Sequence, residues 1–267
     1  MRVRVGHSPD PDDAFMYWAI AAGRVDTRGH EFEQVVADIE TLNGWALEGR
    51  LEVTALSAGA YPHVRDRYDL LPHGASLGDG YGPVVVSREP LEPDDLAGRR
   101  VAVPGRLTTA FLVARLALPA FEAVLVPFDE VLDRVAAGDV DAGVVIHEGQ
   151  LGWQDAGLAL VLDLGAWWLA ETGLPLPLGA VAIRRDLPRE VADDVSAILL
   201  EAIDAGLANR PEALAYAQEF GRGIDAETND RFVGMYVNDL TRDFGPRGRE
   251  GIAELIRRGS LIGAFDK

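Results

Sequence analysis

The residue of this chain best suited to acid–base chemistry is a histidine at the end of a strand-like segment. In VVIHEG (144–149) three apolar β-formers run directly into His147, one of only five histidines in the sequence. A neutral imidazole has an ordinary pKa near 6.5, so it can remove a proton at neutral pH. A histidine that ends a strand can equally serve as a hydrogen-bonding residue with no catalytic role. The sequence leaves both interpretations open.

Hydroxyl and carboxyl side chains follow a second strand-like segment, RVRV (2–5). The loop HSPDPDD carries Ser8, Asp10, Asp12 and Asp13 just before an apolar helix. Asp10 is a candidate N-cap, and acids in a first helical turn complement the helix dipole. We favour this structural interpretation for Asp12 and Asp13.

Two adjacent threonines occupy the corresponding place in a later segment. In RRVAVPGRLTTAFLVARLAL (99–118) a strand, a Pro/Gly loop and an apolar helix follow one another, and Thr108 and Thr109 are the predicted caps. A helix N-terminus that faces a cleft also binds carboxylate or phosphate groups well. An anionic ligand of this acidic chain would need such local donors.

The elements that must position these residues form a weak internal repeat. Segments 35–59 and 126–149 both run strand, helix, glycine, strand, and their alignment places Gly49 on Gly138. With the preceding strand and helix, each half predicts a β-α-β-α-β unit with parallel strands. Chance similarity between generic α/β units is the alternative. Open parallel sheets bind ligands at the carboxyl ends of their strands.

The predicted fold class is α/β, with two lobes and a cleft between them. Apolar segments 82–90 and 175–188 are the predicted connectors, and the chain beyond is helical. Each lobe is expected to be a mixed, mostly parallel sheet flanked by helices. A large discontinuous lobe of residues 1–88 plus 184–267 and a small inserted lobe of residues 89–183 give the topology of the type II periplasmic-binding-protein fold.

Composition excludes several classes of function. The net charge of −18 disfavours binding to nucleic acid and to anionic membrane surfaces. The absence of cysteine excludes disulfides, thiolate catalysis and cysteine-ligated zinc, and the acids near His147 lack metal-site spacing. No segment resembles a membrane span or a secretory signal, so the expected location is the cytoplasm. A high-salt cytoplasm and GC-rich codon usage both account for the acidic, lysine-poor composition.

The adjacent tryptophans Trp167 and Trp168 allow two interpretations. They lie in DLGAWWLAETGLPLPLG and can line the cleft, where an indole ring stacks on a flat substrate. Burial near the junction of the lobes is at least as good an account of them.

Several of these segments together resemble one enzyme family. HSPDPDDAFMYWAI, DIETLNGWALEGRLEVTALS, VAVPGRLTTAF, AGVVIHE, DLGAWWLAETGLPLPLG and MYVND occur in the order seen in 1,4-dihydroxy-6-naphthoate synthases of the futalosine route to menaquinone. The resemblance spans nearly the whole chain, and TGLPLPLG and the pair GRLTTA with IHE are its most specific blocks. The loop SPDPDDAF departs from members with an asparagine before the second acid, so the role of Asp12 is open.

The resemblance implies a fold, a reaction and a site. Members have the two-lobed binding-protein fold, use no metal or organic cofactor, and convert cyclic dehypoxanthine futalosine, a small-molecule aromatic carboxylate, to 1,4-dihydroxy-6-naphthoate. The family's catalytic histidine corresponds to His147. Its substrate-binding residues correspond to the following positions in this chain: Ala55, Leu56, Ser57, Thr108 and Thr109.

Two other functions remain compatible with the sequence. A cytoplasmic solute-binding or sensor protein of the same fold would keep the cleft and the hydroxyl groups but would need no base. The sister enzyme of the same pathway, a chorismate dehydratase, would act on a different substrate. The context of His147 and the block TGLPLPLG favour the naphthoate synthase, and oligomeric state is not predicted.

Overall fold

The structure is a computed structural model that describes residues 1–266 of the 267-residue chain. Its strands are β1 Arg2–His7, β2 Glu31–Val36, β3 Val53–Ser57, β4 Tyr68–Leu70, β5 Ser76–Gly78, β6 Val84–Ser87, β7 Arg100–Val103, β8 Glu122–Leu125, β9 Ala142–Val145, β10 Ala159–Asp163 and β11 Leu176–Arg184. No helix within the described residues is both long and apolar enough to cross a membrane.

The helices of the described chain range from single turns to 20 residues. They are α1 Pro11–Ala21, α2 Ile39–Glu48, α3 Tyr61–Val64, α4 Thr109–Ala117, α5 Val131–Ala137, α6 Gly149–Gly152, α7 Leu164–Thr172, α8 Arg189–Ala208, α9 Arg210–Gln218, α10 Ala226–Tyr236, α11 Asp239–Arg242 and α12 Gly245–Leu261. Short 3-10 turns occupy Pro93–Leu96 and Phe128–Glu130.

The chain divides into two compact units. Unit 1 comprises Met1–Leu77 and Gly179–Pro246, and unit 2 comprises Gly78–Leu178 and the chain from Arg247 onward. The predicted boundaries, after residue 88 and before residue 184, differ from this division. The predicted assignment of the C-terminal tail to the first lobe differs as well.

Sheet pairing and close packing explain these differences. Strand β6 pairs antiparallel with both β9 and β10, so residues around Val84–Ser87 join unit 2. Helix α12 packs on unit 2, because Gly251 lies so close to the carbonyl of Pro175 that an added Cβ would be 2.7 Å from its oxygen. The Arg258 guanidinium lies 5.5 Å from the ring centroid of Trp168 in the same unit. None of these contacts leaves a periodic signal in the sequence.

The sheet of unit 1 contains the first predicted β-α-β-α-β segment. Its order is β2-β1-β3-β11-β4, with β1 parallel to both β2 and β3 and β11 antiparallel to β3. The core packs α1 against β1 and the long helix α8, with Phe15, Val195 and Ile203 buried among the contacts. Because β1 and β3 run in the same direction, their carboxyl ends meet at one edge of the sheet.

The sheet of unit 2 repeats this arrangement. Its order is β10-β6-β9-β7-β8, with β7 parallel to β8 and β9 and with β6 antiparallel to β9. Apolar residues of α5 and the central strands fill its core, among them Val131, Val135 and Val145. The two predicted β-α-β-α-β segments therefore fold as predicted, and each gains an antiparallel neighbour beside its third strand.

Candidate active site

His147 lies directly after β9, where the backbone turns into α6. Its φ is +57°, in the left-handed region that few non-glycine residues adopt, although histidine tolerates it better than most. The Gln150 amide donates a hydrogen bond of 3.1 Å to the His147 carbonyl and closes the turn. Left-handed residues of this kind are held by their surroundings and are enriched at functional sites. The fold thus fixes the imidazole at the carboxyl end of a central strand.

Two neighbours of His147 fix this turn. The rings of His147 and Phe128 meet edge to face, with centroids 4.9 Å apart and an interplanar angle of 76°. At Gly149 an added Cβ would lie only 2.8 Å from Val145 Cγ1, so the sharp turn needs a glycine there. Nothing in the sequence marks Phe128 as a neighbour of His147, because the two residues are distant in the chain and meet only in the folded unit.

Thr108 and Thr109 lie at the same sheet edge as His147. Strand β7 is parallel to β9, with Val101 opposite Ala142, and Thr108 follows β7 as His147 follows β9. The geometry therefore brings together three of the predicted site residues within unit 2.

The two threonines differ in their hydrogen bonds. Thr108 is the N-cap of α4: its Oγ1 accepts from the Phe111 amide at 3.2 Å and donates to the Gly105 carbonyl at 2.8 Å. Thr109 is the first helical residue, and its hydroxyl donates to the Leu178 carbonyl at 2.7 Å. The prediction that both threonines cap the helix therefore needs a correction. Only Thr108 does so, because one helix start has one N-cap position.

Ala55, Leu56 and Ser57 form the end of β3 in unit 1, and all three are buried. Ser57 is held by two hydrogen bonds of 2.9 Å: its amide donates to Asn43 Oδ1, and its Oγ accepts from Asn43 Nδ2. Its hydroxyl hydrogen has no acceptor among residues 1–266, so Ser57 is a ready hydrogen-bond donor.

Asn43 positions Ser57, although the sequence motifs do not mark it as a site residue. It is fully buried in α2, although asparagine is a weak helix former and rarely sits unexposed without a partner. The signal that could have found it is a polar residue one position after the buried Leu42, in a helix whose other polar side chains are more exposed.

The side chains of the HSPDPDD loop bind other partners and do not cap α1. Helix α1 begins after Asp10 as predicted, but the Asp10 side chain makes no capping hydrogen bond and instead accepts from the Arg222 guanidinium at 2.7 Å. Asp13 accepts from both the amide and the hydroxyl of Ser8, each at 2.7 Å. Asp12 has a longer contact of 3.4 Å with the hydroxyl of Ser76. The loop is a buried polar network rather than a solvated helix cap.

Two further buried residues, the candidate Trp168 and the histidine His73, have structural roles in the described chain. Trp168 is fully buried, and its indole N–H donates to the Pro175 carbonyl at 3.3 Å, which supports the packing interpretation for this residue. His73 is also buried and contacts Ser196 Oγ through Nε2 at 3.0 Å. Burial lowers the pKa of His73 to about 4, so this imidazole is neutral at pH 7. Within residues 1–266 no group of three or more His, Asp or Glu side chains is arranged to hold a metal ion.

Comparison with known proteins identifies the family. A family model described as menaquinone biosynthesis matches residues 3–260. A protein of Thermus thermophilus named 1,4-dihydroxy-6-naphthoate synthase is 43% identical, over 98% of this chain and 95% of its own. A protein of Streptomyces coelicolor with the same name is 40% identical, over 98% of this chain and 94% of its own.

Solved structures agree with this result. A crystal structure of a protein from Archaeoglobus fulgidus is 46% identical, covers 98% of both chains and superposes with a TM-score of 0.94. The alkanesulfonate-binding protein of Xanthomonas axonopodis is only 13% identical, but it covers 98% of this chain and 92% of its own with a TM-score of 0.71. The second likeness confirms the periplasmic-binding-protein fold and nothing more. The full-length matches confirm the resemblance found in the sequence motifs: the chain belongs to the menaquinone biosynthesis family, alongside relatives named 1,4-dihydroxy-6-naphthoate synthase.

Proposed function

We propose that this protein is a carbon–carbon lyase that converts cyclic dehypoxanthine futalosine to 1,4-dihydroxy-6-naphthoate in menaquinone biosynthesis. The observation that carries the proposal is identity of 40% or more to two proteins of that name over nearly their whole length. At this level of identity, relatives commonly share the reaction as well as the fold. The periplasmic-binding-protein fold alone would not support it, since one fold hosts many functions.

His147 is the general base of the proposed reaction. Opening a sugar-derived ring fused to an aromatic ketone requires removal of a proton next to a carbonyl, and a positioned imidazole suits this step at neutral pH. The left-handed backbone and the edge-to-face contact with Phe128 support the role, because both restrict the orientation of the ring. Since the product ring is aromatic, the steps that follow proton removal run downhill.

The hydroxyl-bearing strand ends bind the substrate in this proposal. Thr108 and Thr109 open α4, whose first turn presents amide groups that no helical carbonyl can reach and that favour a carboxylate. In unit 1 the buried residues Ala55, Leu56 and Ser57 provide the second set of contacts. Ser57 donates its hydroxyl hydrogen to a substrate oxygen, because Asn43 already occupies its amide and one oxygen lone pair.

The decisive experiment is incubation of the purified protein with cyclic dehypoxanthine futalosine, followed by detection of 1,4-dihydroxy-6-naphthoate by mass spectrometry. Product formation at a rate proportional to protein concentration supports the proposal. Binding without turnover would indicate a sensor of the same fold. Conversion of chorismate to 3-enolpyruvylbenzoate would instead identify the sister dehydratase. Turnover that survives dialysis against a chelator supports the predicted lack of a metal cofactor, and the cytoplasmic location stays a prediction.

A further inference from the structure

Unit 1 contains a buried acid that the proposed chemistry does not yet use. Asp13 lies in the first turn of α1 and is 8% exposed. Its Oδ2 accepts both the amide and the hydroxyl hydrogen of Ser8, and within residues 1–266 it has no other hydrogen bond. This geometry fixes the carboxyl group through one oxygen and leaves Oδ1 as the position for a proton. A buried carboxylate normally needs a cation or several donors.

The cationic groups near Asp13 are directed elsewhere. The Arg222 guanidinium binds Asp10 Oδ1 at 2.7 Å and the Pro9 carbonyl at 2.6 Å. Both ring nitrogens of the buried His7 have other partners, the Ser8 carbonyl at 2.9 Å and Gln34 Oε1 at 3.0 Å. Asp13 therefore has no direct salt bridge with either group.

The surroundings of Asp13 favour its protonated form. Burial raises the pKa of the Asp13 carboxyl above its ordinary value; His7 opposes the shift, the neighbouring Asp10 adds to it, and the hydrogen bonds from Ser8 oppose it. On the same helix, burial and Asp13 together raise the pKa of Tyr17 well above 10, so the Tyr17 phenol is neutral and adds no charge beside Asp13.

Two further groups near Asp13 are the carboxyl group of Asp12 and the phenol of Tyr216. Asp12, the adjacent acid on α1, accepts a hydrogen bond from the hydroxyl of Ser76. From α9, Tyr216 donates to Gln34 Oε1 at 3.3 Å, which places a second phenol beside the partner of His7. Arg210 of α9 has its guanidinium 5.6 Å from the ring of Phe15 on α1 and binds Asp230. The charge that most favours an Asp13 carboxylate is that of His7.

Asp13 also lies at the strand edge that carries the proposed substrate contacts of unit 1. Strand β1 is parallel to β3, with Gly6 opposite Thr54, so the chain leaving β1 at His7 and Ser8 is level with Ala55 to Ser57. The carboxyl ends of adjacent parallel strands are where ligands bind in such sheets. A buried acid at this edge is placed for chemistry, whereas a purely structural acid could occupy any face of α1.

We propose that Asp13 is a second catalytic residue, a carboxylic acid that protonates the oxygen that leaves when the substrate ring opens. The assignment rests on the proposed function. When His147 removes the proton next to the carbonyl, the C–H electron pair forms a new C=C bond and the C–O bond of the sugar-derived ring breaks. The departing oxygen keeps the electron pair of the broken C–O bond and takes the proton of Asp13. A proton then moves from the His147 imidazolium through solvent to Asp13, so the cycle is balanced.

The test compares Asp13→Asn with Asp12→Asn in the full-length protein. Both variants remove one acid from the same helical turn, but only the first removes the proposed proton donor, and asparagine can still accept the hydrogen bonds of Ser8. Turnover of the cyclic substrate should fall by roughly 10²-fold or more in Asp13→Asn and by less than threefold in the control. Affinity for 1,4-dihydroxy-6-naphthoate should change by less than threefold in both variants.

The pH profile separates a proton donor from a structural residue. Wild-type turnover should fall on the high-pH side of its profile as Asp13 loses its proton, and the residual activity of Asp13→Asn should lack that limb. Ser8→Ala removes a hydrogen bond that favours the carboxylate, so it should move the limb to higher pH. This variant keeps the proposal testable if Asp13→Asn does not fold.

Two results overturn the assignment while leaving the proposed function intact. One is near-wild-type turnover by a folded Asp13→Asn. The other is an alkaline limb at the same pH in wild type and Ser8→Ala. Absence of turnover by the wild-type protein would instead overturn the proposed function, and this inference with it. Infrared spectroscopy gives an independent reading, because a protonated-carboxyl band at neutral pH should disappear in Asp13→Asn, and its absence from the wild type would contradict the proposal.

Discussion

The two β-α-β-α-β segments have the same topology and carry different chemistry. In each segment the first strand lies between the second and the third, and an antiparallel strand flanks the third. After the third strand, unit 1 places Ser57, held by Asn43, whereas unit 2 places His147 in a left-handed turn. The fold determines where side chains are presented, and in the proposed function a few residues at the strand ends determine whether a unit binds or reacts.

The loops after the first strands differ in the same way. In unit 2 Thr108 caps α4 in the ordinary manner, with its hydroxyl accepting from the third amide of the helix. In unit 1 the equivalent loop contains the buried acids Asp10 and Asp13. Asp10 occupies the N-cap position of α1, but its side chain binds Arg222 and makes no capping hydrogen bond. An ordinary cap stabilises a helix start, whereas a buried acidic network is costly unless it serves another purpose.

The largest effect expected from this comparison is at His147. Asparagine also tolerates a left-handed backbone, so His147→Asn keeps the turn while removing the proton acceptor. Turnover should fall by roughly 10²–10⁴-fold, with product affinity little changed. Steady-state kinetics and calorimetric titration measure the two quantities. His63→Asn, at an exposed position of unit 1, is the control. Near-wild-type turnover by His147→Asn would contradict the role of His147 as the base and leave it a hydrogen-bonding residue at a strand end.

His73, a buried histidine of unit 1, should affect stability instead of turnover. Burial lowers the pKa of His73 to about 4, so between pH 6.5 and 4 the unfolded chain binds a proton that the folded chain excludes. The stability contributed by neutral His73 is complete above pH 6.5 and is lost as the pH falls toward 4. At about 1.4 kcal/mol per unit of pKa shift, the loss is on the order of 3 kcal/mol.

Denaturant unfolding at several pH values tests this expectation. His73→Gln replaces the titrating ring with a neutral side chain that can still contact Ser196, so its free energy of unfolding should fall less steeply between pH 6.5 and 4 than that of the wild type. Equal slopes for the two proteins would show that other groups control the acid limb.

Substitution of Thr108 should weaken binding by a smaller amount. Thr108→Val should reduce product affinity by about 1–3 kcal/mol if a ligand oxygen loses its partner, with the pH midpoint of turnover unchanged. The same change removes the α4 cap, which contributes about 1 kcal/mol to stability. Thr108→Ser retains the hydroxyl and should restore both properties. An affinity as low in Thr108→Ser as in Thr108→Val would contradict the assignment of the effect to the hydroxyl group.

The sequence predicted those features that depend on local patterns. Strand alternation, the glycines that end α2 and α5, and the Thr108 cap are encoded within a few residues, and all are present in the structure. The partners of the site residues are not local. Asn43 is 14 positions from Ser57, and Phe128 is almost twenty positions from His147, so only folding brings each pair together.

Long-range pairing also explains why the unit boundaries were less predictable than the strands. In the sequence, β6 is a buried apolar run. Such a run indicates a strand but does not predict which strands it pairs with. Its antiparallel pairing with β9 and β10 places it in unit 2. Asp12 and Asp13 lie in the first turn of α1 as predicted, but the sequence does not show that Ser8 turns back to bind Asp13.

The smallest expected effect concerns the matched glycines that end α2 and α5. Gly49 and Gly138 both adopt a left-handed conformation, with φ of +70° and +82°. Alanine at either position should destabilise its unit by about 1–2 kcal/mol, the usual cost of a left-handed non-glycine residue. Any additional loss at Gly138 should be small: an added Cβ would lie 2.1 Å from Arg88 Nη1, but this is the end of a flexible, exposed side chain that can move aside, and at Gly49 the nearest atom is 3.7 Å away.

A second substitution separates the two parts of the Gly138 effect. Arg88→Ala clears the space around Gly138, so in that background Gly138→Ala should cost no more than Gly49→Ala does in the wild type. The four variants are Gly49→Ala, Gly138→Ala, Arg88→Ala and the double variant of Gly138 and Arg88. Their free energies of unfolding, measured by urea denaturation, test whether the C-terminal ends of α2 and α5 tolerate alanine equally. Costs that still differ after Arg88 is removed would mean that the two helix ends are alike in conformation but unequal in the support that their surroundings give.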